Sequence, residues 1–389
     1  MNIKNKFDKL SVKIKSNFKK DYVQGYEKYL QSENQRGNVL MCYITSPFYI
    51  SSDSNLFYRH QNFQESVAIA NVFNSFGYSV DIVPYNKEID LEKEYDIIFG
   101  FGRSFKYSID QMNYQTCNIF YGTGMHWDQL NQAEAHRLEE LKQRRGVEMP
   151  ATREVSEKDK LDIKEYSDHV IIIGDSPTVK SYEHILKSNE VYTVSNTSFE
   201  FLSDYQPRIS SPYGYLWMGS GGLVLRGLDV VIEAFSELKH NDIYICGPVS
   251  NNEEFISEYE REIGSDNIHL VGFVELESDK FRHLLNNVCF HLYPSASDSA
   301  PPGSVTNTMR AGVVPILSEA TTPAYLTNDV ETLSEISKSE IKRAVKKTSS
   351  IKRKRVSRLS KNFSRIAENK FSIDAFKSKF ERTLHDILQ

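Results

Sequence analysis

Apolar and polar residues along this chain fall into blocks whose period changes, and the changes mark the elements. Short apolar runs bounded by turn residues read as buried strands, whereas apolar residues spaced three and four apart read as helices. Strands are expected at 39–45, 79–84, 95–100, 117–121, 169–173 and 190–194. Helices are expected at 64–76, stopped by Gly77, and at 131–145, stopped by Gly146. The second of these (EAHRLEELKQRRG) is charged all round and reads as a solvated helix. A basic lead, read as helical, precedes the first strand.

The pattern then restarts. Strands are expected at 215–218, 243–246 and 268–271, with helices at 228–238 and 278–286. The stretch FHLYPSASDSAPPGSVTNTMRAGVVPIL, 290–317, reads as a strand, a Ser/Asp/Pro/Gly loop, a helix opened by Gly303 and Ser304, a C-cap at Gly312, and a strand at 313–317. A last helix is expected at about 373–388. Strands alternating with helices imply parallel sheets covered on both faces, hence an α/β fold with two doubly wound domains. The expected organisation is a basic lead 1–35, a domain 36–195, and a linker 196–211 rich in Ser, Asn and Pro. A second domain follows at 212–365, and a terminal helix at 366–389 returns to the first.

A length of 389 residues exceeds one ordinary core, which agrees with two domains. With 40% hydrophobic and 25% charged residues the composition is that of a soluble globular protein. No apolar run approaches the roughly 18 residues of a membrane span, and the lysine-rich start lacks the apolar core of a secretory signal. Cys42, Cys117, Cys246 and Cys289 each sit in a strand-like run without metal-ligand spacing, so they read as reduced core cysteines of a cytoplasmic protein. The net charge of −5 is unevenly spread: residues 338–361 hold eleven Lys/Arg against one glutamate, and residues 1–20 hold seven lysines against one aspartate. These segments are solvated faces or, as the functional reading, a docking surface for an anionic membrane. Nucleic acid is not expected as a partner, since no recognition fold accompanies the charge.

The chemistry concentrates in three loops. In an open α/β sheet, a loop running from a strand's C-terminal end into a helix is where ligands bind. The unpaired N–H groups and dipole at the Gly303 helix start suit a diphosphate. After the strand at 215–218, the loop GSGGLVLRG carries Gly219, Ser220, Gly221 and Gly222 for close backbone approach. Arg226 follows as a cation able to pair with a diphosphate and stabilise it as it leaves. The glycines do not fit the dinucleotide fingerprint. After the strand at 117–121, FYGTGMHWDQ places His126 and Trp127 at a strand end. Pro47, Phe48, His60 and Asn62 lie in or beside the loop after the first strand and are acceptor-side candidates, with N-terminal capping as the plain alternative for the last two. No Asp-x-Asp, His/Cys metal spacing, P-loop or Gly-x-Ser-x-Gly elbow is present, so neither metal nor cofactor is expected.

Taken in order, LRGLDVVIEAF, IYICGP, NIHLVGFVE and YPSASDSAPPGSVTNTMRAG resemble the C-terminal domain of retaining GT-B glycosyltransferases of the glycogen-synthase and α-mannosyltransferase type. The resemblance covers about 215–320 well and the first half more loosely. It implies two Rossmann-like domains facing an interdomain cleft, a nucleoside-diphosphate sugar as donor, and a glycan or lipid-linked acceptor. Arg226 stands for the family's basic residue before a glycine. The glutamate that contacts the transferred sugar falls at Asp298, and the one that holds the ribose falls at Asn307. The two lie nine apart rather than eight, which makes Pro301-Pro302 look like a one-residue insertion. Ser304, Val305 and Thr306 lie where the family offers backbone N–H groups to the phosphates. Gly272, Phe273 and Val274 would flank the base, and His126 would sit beside the transferred sugar. Nucleotide binding survives the two acidic replacements better than turnover does. The alternatives are a non-catalytic binding or assembly module and a sugar-nucleotide epimerase on the same fold.

Overall fold

A computed structural model of the chain describes residues 22–28, 35–51, 54–91, 93–187, 191–205, 207, 209, 213–326 and 329–389. Most of the expected basic lead lies outside them. By contacts the chain divides into one unit of residues 1–121, 161–170 and 387–389, and a second of 122–160 and 171–386.

In the first unit, β2 (Gly37–Tyr43) pairs in parallel with β3 (Tyr78–Pro84) and β4 (Ile97–Gly100), and β4 with β5 (Cys117–Gly122). Val39 to Cys42 are fully buried, as expected of a parallel strand covered on both faces. The helix α1 (Asn62–Ser75) buries Ala68, Ile69, Val72 and Phe73; α2 (Gly102–Gln111) follows β4. A short strand, β1 (Val23–Tyr26), adds antiparallel to β3, placing Val23 opposite Ile82 and Tyr26 opposite Val80. The expectation of a helical lead is therefore wrong over these residues. Asp81 explains why: its carboxylate accepts from Gly25 N at 2.7 Å and Tyr22 Oη at 3.0 Å, fixing the extended chain at the sheet edge. The seven-stranded sheet these strands belong to also takes β6 (His169–Ile173) and β7 (Val191–Val194), most of whose residues fall in the second unit, in the order β1-β3-β2-β4-β5-β6-β7.

The second unit holds β8 (Tyr215–Met218), β9 (Ile243–Cys246), β10 (Ile268–Gly272), β11 (Phe290–Tyr293), β12 (Val314–Ser318) and β13 (Glu331–Leu333). Every pairing is parallel, and the order is β10-β9-β8-β11-β12-β13. In chain order that is 3-2-1-4-5-6, the doubly wound arrangement whose order reverses between β8 and β11. Its helices include α3 (Trp127–Arg145), α4 (Ser176–Lys180), α5 (Leu228–Phe235), α6 (Asp279–Leu285), α7 (Gly303–Arg310), α8 (Lys338–Ser349), α9 (Arg353–Lys370) and α10 (Ile373–Ile387). Trp217, Tyr215, Phe235, Phe290 and Leu292 form the centre of the core, with Tyr215 stacked on Phe290 at 5.4 Å between ring centres. Among the described residues no helix is long and apolar enough to cross a membrane.

The helix α3 differs from its expectation as a solvated element. Glu134, Arg137 and Leu141 are buried. Arg137 Nη2 donates to both carboxylate oxygens of Asp229 at 3.0 and 2.8 Å, and Arg144 adds a bond of 2.6 Å to the same group. The face is therefore a mixed one: Leu138 and Leu141 pack on the core while Arg137 and Arg144 close on Asp229 through ion pairs. The stretch read as a linker is partly packed as well: Asn196 Nδ2 donates to Ser299 Oγ at 2.7 Å and Pro301 O at 2.8 Å.

Candidate functional site

The switch point between β8 and β11 receives two loops. From β8 the chain enters Gly219–Gly222 and turns into α5 through Arg226 and Gly227. Gly227 is required there: its φ is +67°, and a Cβ would sit 2.5 Å from Pro294 O. That close approach joins the two loops, and Ala296 N completes it by donating to Leu225 O at 2.9 Å. Trp217 Nε1 donates to Arg226 O at 3.1 Å, so the arginine's backbone is fixed by the strand before it.

From β11 the second loop brings Asp298 against Arg226. The guanidinium Nε and Nη2 donate to Asp298 Oδ2 at 3.1 and 3.0 Å, Nη1 donates to Gly221 O, and Tyr293 Oη donates to Asp298 Oδ2 at 2.8 Å. Burial alone would raise the Asp298 carboxyl, but the charges of Arg226 and Arg153 and the Tyr293 hydrogen bond bring it below the usual value. The two expected site residues are thus together, as an ionised pair.

The helix start differs in detail from the expectation. Val305 N and Thr306 N both donate to Pro302 O at 3.0 Å, so these two groups are engaged. Gly303 N and Ser304 N make no hydrogen bond among the described residues, and they are the donors available to an anion. Asn307 is 2% exposed; its Oδ1 accepts from Phe199 N at 3.0 Å and its Nδ2 donates to Gly303 O at 2.9 Å. Its amide is committed to packing the helix, which does not fit the expected ribose contact. Gly272 ends β10, Val274 is buried and Phe273 is 54% exposed beside it, an open aromatic surface at a strand end.

His126 caps α3, its Nδ1 accepting from Asp128 N at 3.3 Å, and its own N–H donates to Ser181 Oγ at 2.9 Å. It is buried, with Nε2 lacking a partner among the described residues. Burial, then the neighbouring His184 and Lys160, lower its pKa to about 4, against the opposing pull of Asp128. It is therefore a neutral imidazole at physiological pH. Its loop lies by the Asp298 loop: a Cβ on Gly124 would be 4.0 Å from Ser299 N. Trp127 begins α3 with its ring 4.1 Å from that of His126. His126, Asp128 and His184 bring three ligand-type atoms within 4.8 Å of one another. Lys160 Nζ, 3.6 Å from Asp128 Oδ1, and the positive end of α3 oppose a cation there.

The acceptor-side candidates other than Trp127 lie in the first unit. Pro47 and Phe48 form a 3-10 turn after β2, with Pro47 buried and Phe48 edge-on to Tyr26. His60 Nδ1 accepts from Asn62 N at 3.3 Å, the capping role, while Asn62 Oδ1 is buried without a partner among the described residues. One residue escaped sequence reasoning: Arg153, which lies against Gly221 and Gly222 and had only its charge to mark it.

Comparison places this architecture. The chain is similar to sucrose-phosphate synthase from Thermosynechococcus elongatus, with a TM-score of 0.60 at 11% identity over 91% of this chain and 99% of that one. It is similar to a glycosyltransferase from Rickettsia africae (TM-score 0.58, 12% identity, 90% and 98%). It also matches Anabaena HepE in complex with UDP and glucose (TM-score 0.56, 10% identity, 90% and 99%). No protein-family model matches the chain, and no curated protein matches its sequence. The fold is GT-B: two α/β units, each built on a mainly parallel sheet, as in glycosyltransferases.

Proposed function

We propose that the protein transfers a sugar from a nucleoside-diphosphate sugar to a glycan or lipid-linked acceptor, with retention and without a metal. The observation that carries this reading is the pairing of Arg226 with Asp298 at the β8/β11 switch point, beside the open N–H groups of Gly303 and Ser304. Arg226 and the helix start would take the diphosphate and its developing charge. Asp298 and neutral His126 would orient the sugar, and the chain at Gly272–Val274, with exposed Phe273, would flank the base. Pro47, Phe48, His60, Asn62 and Trp127 remain the acceptor-side candidates. The UDP and UDP-glucose complexes of HepE favour a uridine nucleotide as the first donor to try.

A second reading, a binding module on the same fold, draws support from Asn307, whose amide is spent inside the helix. Incubation with UDP-, GDP- and ADP-sugars and candidate acceptors separates the readings. Free nucleoside diphosphate with a glycosylated acceptor supports transfer; an isomerised sugar indicates an epimerase; tight donor binding with neither product indicates the module.

The basic segment supports a cytoplasmic protein that meets an anionic membrane face. Arg355, Arg358, Lys361 and Arg365 of α9 line a groove of about 710 Å³, together with Asp329, Glu331 and Lys347, the last two paired at 2.5 Å. Each basic group near such a surface contributes on the order of 1 kcal/mol.

A further inference from the structure

The Arg226–Asp298 pair leaves a charge problem for the proposed donor site. The aspartate offsets the arginine, so the pair is close to neutral, whereas a nucleoside diphosphate brings several negative charges. A further cation is needed within reach of the glycine loop. We propose that Arg153 is that cation: a second donor residue that contacts the outer phosphate of a nucleoside diphosphate over Gly221 and Gly222.

Three observations point to it. Its aliphatic stem lies on the glycine loop, since a Cβ added to Gly222 would come within 2.6 Å of Arg153 Cγ and one on Gly221 within 3.8 Å of its Cδ. Gly222 also has φ +71°, so this position is closed to other residues by conformation and by space. The guanidinium makes no hydrogen bond or ion pair among the described residues, unlike that of Arg226, and its charge is felt at Asp298. A planar guanidinium with free donors is the side chain best matched to phosphate oxygens.

Its placement is also built rather than incidental. Glu134, 3% exposed, accepts from Thr152 N at 2.8 Å and from Arg153 N at 3.0 and 2.8 Å. Asn131, one turn earlier on α3, exchanges two bonds of 2.9 Å with the backbone of Val155. The same helix is tied to α5 through Arg137 and Asp229. A solvated surface arginine has no need of such a mount. Glu134 is on this account a positioning residue, acting through the backbone of Arg153. The proximity to Asp298, the sugar-side residue of the proposed site, assigns Arg153 to the outer rather than the inner phosphate.

This inference rests on the donor-site reading, and titration calorimetry with UDP and UMP on the full chain tests the two separately. Arg153→Ala should weaken UDP binding about tenfold or more, the worth of a charge-assisted bond, while UMP changes by less than about threefold. Arg153→Lys should fall between, and serves if the alanine variant melts abnormally. Glu134→Gln should shift UDP in the same direction by less, with UMP unmoved. Wild-type UDP affinity in Arg153→Ala, or equal losses for UDP and UMP, would overturn the role of Arg153 alone. A wild-type protein that binds none of UDP, GDP and ADP would overturn the donor site and this inference with it.

Discussion

Asp298 meets its partner where water is scarce, and the arithmetic of that position shapes the site. Removing a carboxylate from water is costly unless it is paired and hydrogen-bonded. Arg226 and Tyr293 supply both, at 3.0 and 2.8 Å, so the shorter acid at this position is held ionised and oriented. His126 and His291 show the converse, for each is buried without a compensating anion strong enough to keep a proton. Burial lowers His291 to about 3, and burial with the cations nearby lowers His126 to about 4. Below the ordinary histidine value of about 6.5, the unfolded chain takes up protons that the folded chain refuses. Their contribution is therefore fully present above pH 6.5 and is lost as the pH falls toward 4. For His126 the loss amounts to roughly 3 kcal/mol. Urea melts at pH 7 and pH 4.5 should show that loss, and His126→Asn, which cannot titrate, should recover part of it. The same pH slope in wild type and variant would contradict the assignment.

Among the elements, the buried strands are plainer in the sequence than the helices. The strands at 169–173, 215–218 and 243–246 stand where their apolar runs put them, because a buried parallel strand must be apolar on both faces. The face of α3 is hard to see in the sequence because only Leu138 and Leu141 mark it as apolar, while Arg137, Arg144 and Arg145 make the rest of its contacts as ion pairs with Asp229, Glu258 and Glu262. Strand β1 was hidden because one carboxylate, Asp81, fixes it from 56 residues away. The helix α9 carries a clear pattern, burying Val356, Ser360, Phe363 and Ala367 and giving Arg355, Arg358, Lys361 and Arg365 to the groove. Vesicles of anionic phospholipid should therefore pellet the protein at low salt and release it at high salt. Substituting Arg355, Arg358 and Lys361 together by glutamine should abolish pelleting. Pelleting that survives the triple change, or its absence at low salt, would remove the groove as a membrane contact.

For the whole molecule, the order 3-2-1-4-5-6 is what turns a list of loops into a site. The chain alone showed that Arg226 and the Gly303 helix start each follow a strand; only the reversal between β8 and β11 makes them neighbours. Asn307 falls where the family motif places a ribose ligand, yet its amide is spent on Phe199 N and Gly303 O, because register in a motif does not fix which way a side chain turns. Arg153 was illegible for a related reason, since it reaches the glycine loop through 68 residues of intervening chain. Everything proposed for the site depends on the paired loops binding a donor diphosphate. The most direct test of that binding is titration of UDP into wild type and Arg226→Ala, both shown to be folded. Wild type should bind UDP measurably, and the variant about 10- to 100-fold more weakly. Equal affinity in the two proteins would contradict it.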